Sequence, residues 1–235
     1  MGERDETGDI DSDAAYRAWS RRHLWRILAI TAPFALLAFV LLPNLGPVFR
    51  VYNSPSTSME PALRRGGMFV LSRASYGYSR YSFDWFRLPI AGRWPAGVPA
   101  HGDMVVFLLP RDHKTHYVKR VVGVAGDRVR MINGRLSLNG QLVPRVPGGN
   151  VANPTDRPTP RKVPSYREQL PNGAAYTVIE AEGDTGPLDN TAEFVVPPGH
   201  LFVLGDNRDN SSDSRVRDVG MVPVELVIGR IVLAF

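Results

Sequence analysis

The sequence predicts a mainly β protein: an N-terminal transmembrane helix is followed by an antiparallel β domain that contains a Pro-rich inserted subdomain. Three observations lead to this prediction. Gly and Pro supply 22 and 20 of the 235 residues, which favours short strands and turns over a helical bundle. One apolar run near the N-terminus is almost long enough to span a bilayer. Beyond that run, apolar and β-branched segments recur between turn signals without helical periodicity.

The apolar run covers residues 27–42 and, with the apolar residues just before it, approaches the roughly 20 residues of a spanning helix. It has no polar face, unlike a core helix, and the Pro-rich segment behind it is a poor cleavage site for a signal peptide. Four arginines precede or border it: Arg17, Arg21, Arg22 and Arg26. Basic residues that flank a transmembrane helix tend to remain on the cytoplasmic side of the membrane. We therefore expect a cytoplasmic tail at 1–23, a single-pass anchor at 24–43 and an extracytoplasmic domain at 44–235.

Five segments of this domain have the composition of strands: residues 68–71, 104–109, 117–124, 128–132 and 201–204. Asn133-Gly134 and Asn139-Gly140 favour tight hairpin turns, so residues 127–143 are predicted to form a three-stranded meander. The inserted subdomain is placed around residues 144–192, as an excursion from the core that begins with a Pro-rich stretch. The apolar C-terminus, residues 225–235, is too short to span a membrane and is predicted to be a final core strand.

The composition narrows the possible chemistry. The absence of cysteine excludes disulfides, thiolate metal sites and thiol nucleophiles. A net charge of +5 is compatible with nucleic acid or anionic lipid as a partner, and the expected topology favours lipid. Only three of the 28 basic residues are lysines, and Lys, unlike Arg, can lose its proton at a useful pH.

Three polar segments could carry chemistry. Residues 54–63 follow the anchor and, taken alone, are typical of a linker. Lys119 interrupts an apolar strand pattern; it is either an exposed edge residue or a buried base with a lowered pKa. Residues 205–215 carry several carboxylates but lack EF-hand spacing, because Ser211 stands where Gly is needed and Arg217 where Glu is needed.

Together these segments resemble the type I signal peptidases, a family of membrane-bound Ser/Lys endopeptidases. The segment Ser56-x-Ser58-Met59-x-Pro61 is similar to the family's nucleophile box. Tyr117-Val118-Lys119-Arg120 is similar to its general-base box, and residues 205–215 to its most specific signature. Ala62 and Ala125 depart from the family's usual Thr and Pro, but neither position supplies a reacting atom.

The resemblance implies that Ser58 is the nucleophile and neutral Lys119 its general base. It further implies that Ser56 and the Ser58 backbone N–H form the oxyanion hole, and that Ser211 orients the Lys amine. Seven residues are expected to be supporting scaffold: Met59, Pro61, Arg120, Asp206, Arg208, Asp213 and Arg215. No cofactor and no metal are expected.

The implied function is removal of N-terminal signal peptides from exported preproteins at the outer face of the plasma (inner) membrane, with cleavage after small residues of the Ala-x-Ala type. The implied partners are preprotein signal peptides, membrane lipid and, transiently, the secretion translocon, but not nucleic acid. A membrane-tethered binding protein without turnover remains an alternative. A soluble Ser/Lys self-cleaving repressor would need a DNA-binding head and no anchor.

Two further groups of residues allow more than one interpretation. Seven aromatic residues lie between the first core strands: Tyr76, Tyr78, Tyr81, Phe83, Trp85, Phe86 and Trp94. They are expected either to pack within a loop or to dip into the lipid interface. His113 and His116 could ligate a metal if they lay on a helix, but their polar context favours exposed loop histidines.

Overall fold

The structure is a computed structural model that describes residues 23, 25–34, 48–83, 86–153 and 161–235. The chain divides into two compact units, residues 1–47 and residues 48–235. In the first unit, residues 25–34 are helical, and the Thr31 hydroxyl donates to the Ile27 carbonyl oxygen at 2.8 Å. Among the described residues, no helix has the length and apolar character needed to cross a membrane. The rest of the predicted anchor, Leu24 and residues 35–43, lies outside the described residues.

The described part of the second unit is built from strands. In chain order they are β1 (Phe49–Asn53), β2 (Met68–Ser72), β3 (Tyr78–Ser79), β4 (Arg93–Trp94), β5 (Met104–Leu108), β6 (His116–Gly123), β7 (Arg128–Ile132), β8 (Arg135–Leu138), β9 (Gln141–Leu142), β10 (Arg145–Asn153), β11 (Arg161–Gln169), β12 (Ala175–Ile179), β13 (Phe194–Val195), β14 (His200–Leu204), β15 (Val222–Pro223) and β16 (Val227–Ala234). Three short 3-10 turns lie between them, at Ala74–Tyr76, Arg208–Asn210 and Val224–Leu226.

Seven strands form the largest sheet, in the order β1-β2-β16-β5-β6-β14-β15, with antiparallel neighbours. The predicted C-terminal core strand is confirmed, since β16 lies inside this sheet between β2 and β5. The predicted meander is confirmed as β7, β8 and β9, to which β13 adds a fourth strand. Its turns place Asn133 and Asn139 at φ values of 47° and 55°, each followed by a glycine with positive φ.

The inserted segment is less separate from the core than the sequence predicts. Strands β10, β11 and β12 form a three-stranded antiparallel sheet. Tyr176 and Val178 of β12 are buried in the same hydrophobic cluster as Val122 of β6 and Phe202 of β14. The described part of the inserted segment therefore packs on the domain through apolar side chains. Its Pro-rich composition did not predict this packing.

The aromatic residues between β2 and β5 mainly pack on one another. Tyr76 and Phe83 are buried, and the Phe83 ring stacks with Tyr78 and Phe86 at centroid distances of 5.8 and 5.0 Å. Trp94 is 75% exposed. Trp85 lies outside the described residues. The packing alternative thus describes most of the described members of this group, and among them Trp94 presents a large apolar surface to solvent.

A buried ion pair connects the inserted sheet to the segment that follows β14. Arg208, in the 3-10 turn Arg208–Asn210, donates from Nη1 to Glu168 Oε1 of β11 at 3.0 Å and from Nη2 to Oε2 at 2.5 Å. Both side chains are 1% exposed. A buried charge without its partner is strongly destabilising, so each residue depends on the other being present.

We expect Glu168→Ala to destabilise the protein by about 3–5 kcal/mol, because it leaves the Arg208 guanidinium buried and unpaired. Urea unfolding of the purified protein measures this. Glu193→Ala is the matched control, because Glu193 and Arg128 form an ion pair at 2.7 Å that is largely exposed to solvent. The control should leave the unfolding midpoint almost unchanged. Equal midpoints for Glu168→Ala and the wild-type protein would show that the buried pair is not a structural requirement.

Candidate active site

The segment that carries Ser58 joins β1 to β2 and is fixed in place rather than extended as a linker. Its backbone folds into a turn, with the Leu63 N–H donating to the Met59 carbonyl oxygen at 2.8 Å. The Met59 and Leu63 side chains are 2% and 3% exposed and belong to a hydrophobic cluster that includes Val106 of β5. These two buried apolar side chains hold the intervening turn, and therefore Ser58, against the large sheet.

Lys119 lies on β6 and reaches Ser58. Its Nζ is 2.7 Å from Ser58 Oγ and also donates to the Val118 carbonyl oxygen at 3.1 Å. Lys119 is 3% exposed and Ser58 is 8% exposed. The alternative of an exposed edge lysine is therefore wrong: β6 lies between β5 and β14, and the amine is buried against the serine hydroxyl.

Burial lowers the pKa of Lys119 from 10.5 to about 8. The carboxylates of Asp213 and Asp206 oppose this shift, and the Arg215 guanidinium adds to it. With a pKa of about 8, about a tenth of the molecules carry a neutral amine at pH 7 and about half at pH 8. A neutral amine has a lone pair that can accept the Ser58 proton, which a Lys with its ordinary pKa would seldom offer.

Residues 205–215 lie directly against the nucleophile turn. The Asn207 N–H donates to the Ser58 carbonyl oxygen at 3.1 Å, and its side-chain amide donates to the Thr57 carbonyl oxygen at 3.3 Å. The Asn210 amide donates to the Thr57 hydroxyl at 2.7 Å. The sequence analysis missed Thr57, Asn207 and Asn210 as supporting residues. The signal available in the sequence was the pair of Asn side chains inside the signature segment. Their uncharged amides are hydrogen-bond donors suited to a supporting role.

The charged scaffold residues form two further buried ion pairs. Arg120 donates to both carboxylate oxygens of Asp206, at 2.8 and 2.6 Å. Arg215 donates from Nε to Asp213 Oδ1 and from Nη2 to Oδ2, both at 2.9 Å. Arg215 also donates to the Arg208 carbonyl oxygen at 2.6 Å, and the Gly205 N–H donates to Asp213 at 3.1 Å. These contacts fold residues 205–215 into one turn and tie it to β6.

Ser56 lies beside Ser58, whose backbone N–H donates to the Ser56 hydroxyl oxygen at 3.2 Å. The two groups assigned to the oxyanion hole are thus adjacent, with the N–H engaged by the Ser56 oxygen. Pro61 is half-buried in the same turn.

Ser211 does not form its predicted hydrogen bond to Lys119. Among the described residues, its buried Oγ has no hydrogen-bond partner. Its side chain packs on Gly205, where an added Cβ would overlap Ser211 and lie 2.6 Å from the Ser58 carbonyl oxygen. Gly205 is therefore required for close packing of the signature turn under the nucleophile, a role that the sequence analysis did not assign.

The reactive pair opens into a cavity of about 390 Å³. Its lining consists of Ser54, Pro55, Ser56, Ser58, Met59, His116, Tyr117, Val118, Lys119, Asn210 and Ser212. His116 is exposed at the start of β6, and His113 lies in a loop within 3.3 Å of the Tyr81 hydroxyl. A serine hydroxyl, a buried amine and apolar walls therefore share one cleft, a combination suited to attack on a polypeptide carbonyl.

An antiparallel β domain with a serine hydroxyl against a buried amine has the features of a serine peptidase. The family described as "Signal peptidase, peptidase S26" matches residues 24–235, and the chain belongs to this family. It is a peptidase, a hydrolase, and its family supports signal-peptide cleavage as its activity.

Two Rickettsia relatives agree with this assignment. The chain is 33% identical over 214 residues to "Signal peptidase I" of Rickettsia bellii (strain OSU 85-389), covering 88% of this chain and 70% of the relative. It is 35% identical over 210 residues to "Signal peptidase I" of Rickettsia prowazekii (strain Madrid E), covering 84% and 76%. A crystal structure of a signal peptidase I from Enterococcus faecalis V583 matches with 25% identity and a TM-score of 0.35, covering 57% of this chain and 97% of that one.

Replacing Lys119 by Met should stabilise the protein at pH 7 by up to about 3 kcal/mol, because folding then no longer buries an ammonium or removes its proton. The wild-type protein should gain stability as the pH rises from about 8 to 10.5, because the unfolded chain binds more protons in that window. The advantage of the variant should therefore shrink between these values. Urea unfolding of both proteins at pH 7 and pH 10 checks this. A difference that is the same at both pH values would contradict a lowered pKa of Lys119.

Proposed function

We propose that this peptidase uses Ser58 as nucleophile and neutral Lys119 as general base. The observation that carries the proposal is the 2.7 Å distance between Lys119 Nζ and Ser58 Oγ, with the amine buried. At this distance a neutral amine can accept the hydroxyl proton as the oxygen attacks a carbonyl carbon. Histidine is not needed, because the lowered pKa of Lys119 supplies a base near neutral pH.

The reaction proceeds in two halves. In the first, Ser58 Oγ bonds to the scissile carbonyl carbon, its proton passes to Lys119 Nζ, and the protonated amine then donates that proton to the leaving amine. The product is an ester between Ser58 and the carboxyl end of the signal peptide. In the second half, water attacks the ester, Lys119 accepts a proton from the water, and Ser58 recovers its hydroxyl.

The oxyanion of each tetrahedral intermediate is assigned to the Ser58 N–H and the Ser56 hydroxyl. The hydrogen bond between these two groups places them side by side, 3.2 Å apart. When a substrate oxygen enters, the Ser58 N–H donates its hydrogen bond to that oxygen instead of to Ser56. The Ser56 hydroxyl donates to the same oxygen. The pair thus offers two donors from adjacent positions of one turn.

The proposed substrates are signal peptides of exported preproteins, cut after small residues in an Ala-x-Ala arrangement. The cleft beside Ser58 is walled by Met59, Tyr117 and Val118, which favour apolar side chains of limited size. The reaction is proposed to occur at the outer face of the plasma (inner) membrane, on a chain anchored by residues 24–43. Membrane lipid and, transiently, the secretion translocon are the proposed partners.

Cleavage of a preprotein with an Ala-x-Ala junction by the detergent-solubilised full chain tests the proposal. We expect Ser58→Ala and Lys119→Ala each to lose at least about 10³-fold in kcat/KM, because either change removes the nucleophile–base pair. Ser75→Ala and Lys114→Ala are matched controls at exposed positions and should cleave like the wild-type protein. A folded wild-type protein that does not cleave would favour a membrane-tethered binding protein, and cleavage by both active-site variants would remove the pair from the mechanism.

The pH dependence of cleavage provides a separate test of the base. Below the pKa of about 8, kcat/KM should fall about tenfold for each unit of pH, because only the neutral Lys119 accepts the proton. Lys119→Arg should be inactive from pH 6 to pH 10, because a guanidinium keeps its proton. Initial rates on the same preprotein measure both effects. Activity in Lys119→Arg, or a wild-type rate that does not change between pH 6 and pH 9, would exclude Lys119 as the base.

A further inference from the structure

Three carboxylates converge at a place outside the cleft. Glu180 follows β12, Asp189 lies in the loop before β13, and Asp209 lies in the 3-10 turn of the signature segment. One oxygen from each comes within 4.8 Å of the other two. Glu180 and Asp189 are buried and Asp209 is half-buried. Like charges gathered this closely in a buried place repel one another unless a cation or a proton is shared among them.

Glu180 is the member least satisfied by the protein. It is fully buried, and among the described residues neither carboxylate oxygen has a hydrogen-bond partner. Arg145 Nη1 is 3.7 Å from Glu180 Oε1, which is beyond hydrogen-bond distance. A buried carboxylate with two unengaged oxygens is able to ligate a cation.

The arginines around the cluster are already bound to other carboxylates. Arg145 donates to both oxygens of Asp184, at 2.8 and 3.1 Å. Arg208 and Arg215 form the bidentate pairs with Glu168 and Asp213 described above. Each of these guanidinium groups therefore pairs with a carboxylate outside the cluster. Among the described residues, Arg145 also forms a longer ion pair with Glu180, at 3.7 Å, so this one cation is shared by Asp184 and Glu180.

The two aspartates are held in position by backbone amides. The Gly186 N–H donates to Asp189 Oδ2 at 2.6 Å, and the Glu182 N–H donates to Asp209 Oδ2 at 2.7 Å. A Cβ built on Gly186 would lie 3.1 Å from Asp209 Oδ1 and 3.2 Å from Asp189 Oδ2. An added side chain would require these carboxylates to shift by a few tenths of an ångström. The loop backbone at Gly186 therefore lies close to the oxygen atoms of both carboxylates.

We propose that Glu180, Asp189 and Asp209 form a binding site for one Ca²⁺ ion. Carboxylate oxygens are the ligands that hard cations prefer. The three oxygens all lie within 4.8 Å of one another, which is compatible with oxygens about 2.3–2.6 Å from one Ca²⁺ ion. Mg²⁺ keeps more of its water and is usually bound by only one or two carboxylates, so three converging carboxylates favour Ca²⁺. Water completes the coordination of the ion.

The site would connect metal binding to the nucleophile turn. Asp209 is followed by Asn210, whose amide donates to the Thr57 hydroxyl next to Ser58. A cation on Asp209 would hold the 3-10 turn Arg208–Asn210 at a second point, in addition to the Arg208–Glu168 ion pair. The role is structural, and the ion takes no part in the peptidase reaction.

Thermal unfolding of the chelator-treated full chain in detergent, with and without Ca²⁺, tests the site independently of catalysis. At a free Ca²⁺ concentration 100-fold above Kd, we expect Tm to rise by about 5–10 °C. Asp189→Asn and Asp209→Asn keep an oxygen for the backbone amide but lose the charge, and both should abolish the rise. Glu180→Gln should abolish it too, because an amide does not supply the negative charge of the proposed site.

Two controls separate this site from other effects. Asp218→Asn changes an exposed aspartate that pairs with Arg111 at 3.3 Å, and it should keep the full response to Ca²⁺. Ser58→Ala should also keep it, so failure of the peptidase mechanism and failure of the metal site are distinguishable. The proposal is overturned if Ca²⁺ at millimolar concentration leaves the wild-type Tm unchanged, if the cluster variants respond like the wild type, or if Mg²⁺ raises Tm equally.

Discussion

The contact on which the rest of the site depends is the buried one between the Lys119 amine and the Ser58 hydroxyl. Holding an ammonium at this depth is unfavourable by an amount on the order of 3 kcal/mol, which is the same quantity that lowers its pKa to about 8. The fold must supply this energy from elsewhere. The hydrophobic clusters around β5, β6 and β16 are the source, since they bury apolar side chains on both faces of the large sheet.

The surrounding ion pairs keep Lys119 from acquiring a counter-ion of its own. Asp206 and Asp213 are near enough to raise its pKa, and a carboxylate free to pair with the amine would keep it protonated. Each of these carboxylates is instead bound by two guanidinium donors, from Arg120 and Arg215. The guanidinium partners offset the carboxylate charges near Nζ, so burial remains the largest influence on the pKa of the amine. The scaffold pairs therefore serve the chemistry as well as the fold.

Local patterns predicted the parts of the structure that local physics determines. The Asn-Gly turns predicted the meander, because that dipeptide tolerates the positive φ of a tight hairpin. The nearness of Lys119 to Ser58 could not come from pattern alone, since 61 residues separate them; it was expected only through the resemblance to a family. Glu168 and Thr57 were missed because their partners lie 40 and 153 residues away. The Ser211 hydroxyl has no hydrogen-bond partner within the described part of the chain, an outcome of side-chain packing that sequence spacing does not encode.

The unequal use of Arg and Lys follows from this arrangement. A buried structural cation must stay charged and satisfy a carboxylate with two parallel hydrogen bonds, and guanidinium does both. Arg120, Arg208 and Arg215 meet that requirement around the site. The proposed general base has the opposite requirement, because its amine must be able to lose a proton near neutral pH. Among the described residues, Lys114 and Lys162 are exposed and Lys119 alone of the lysines is buried. A lysine in place of one of the scaffold arginines would itself be open to deprotonation. The carboxylate left unpaired would then compete for the proton that Lys119 exchanges with Ser58 in the proposed mechanism.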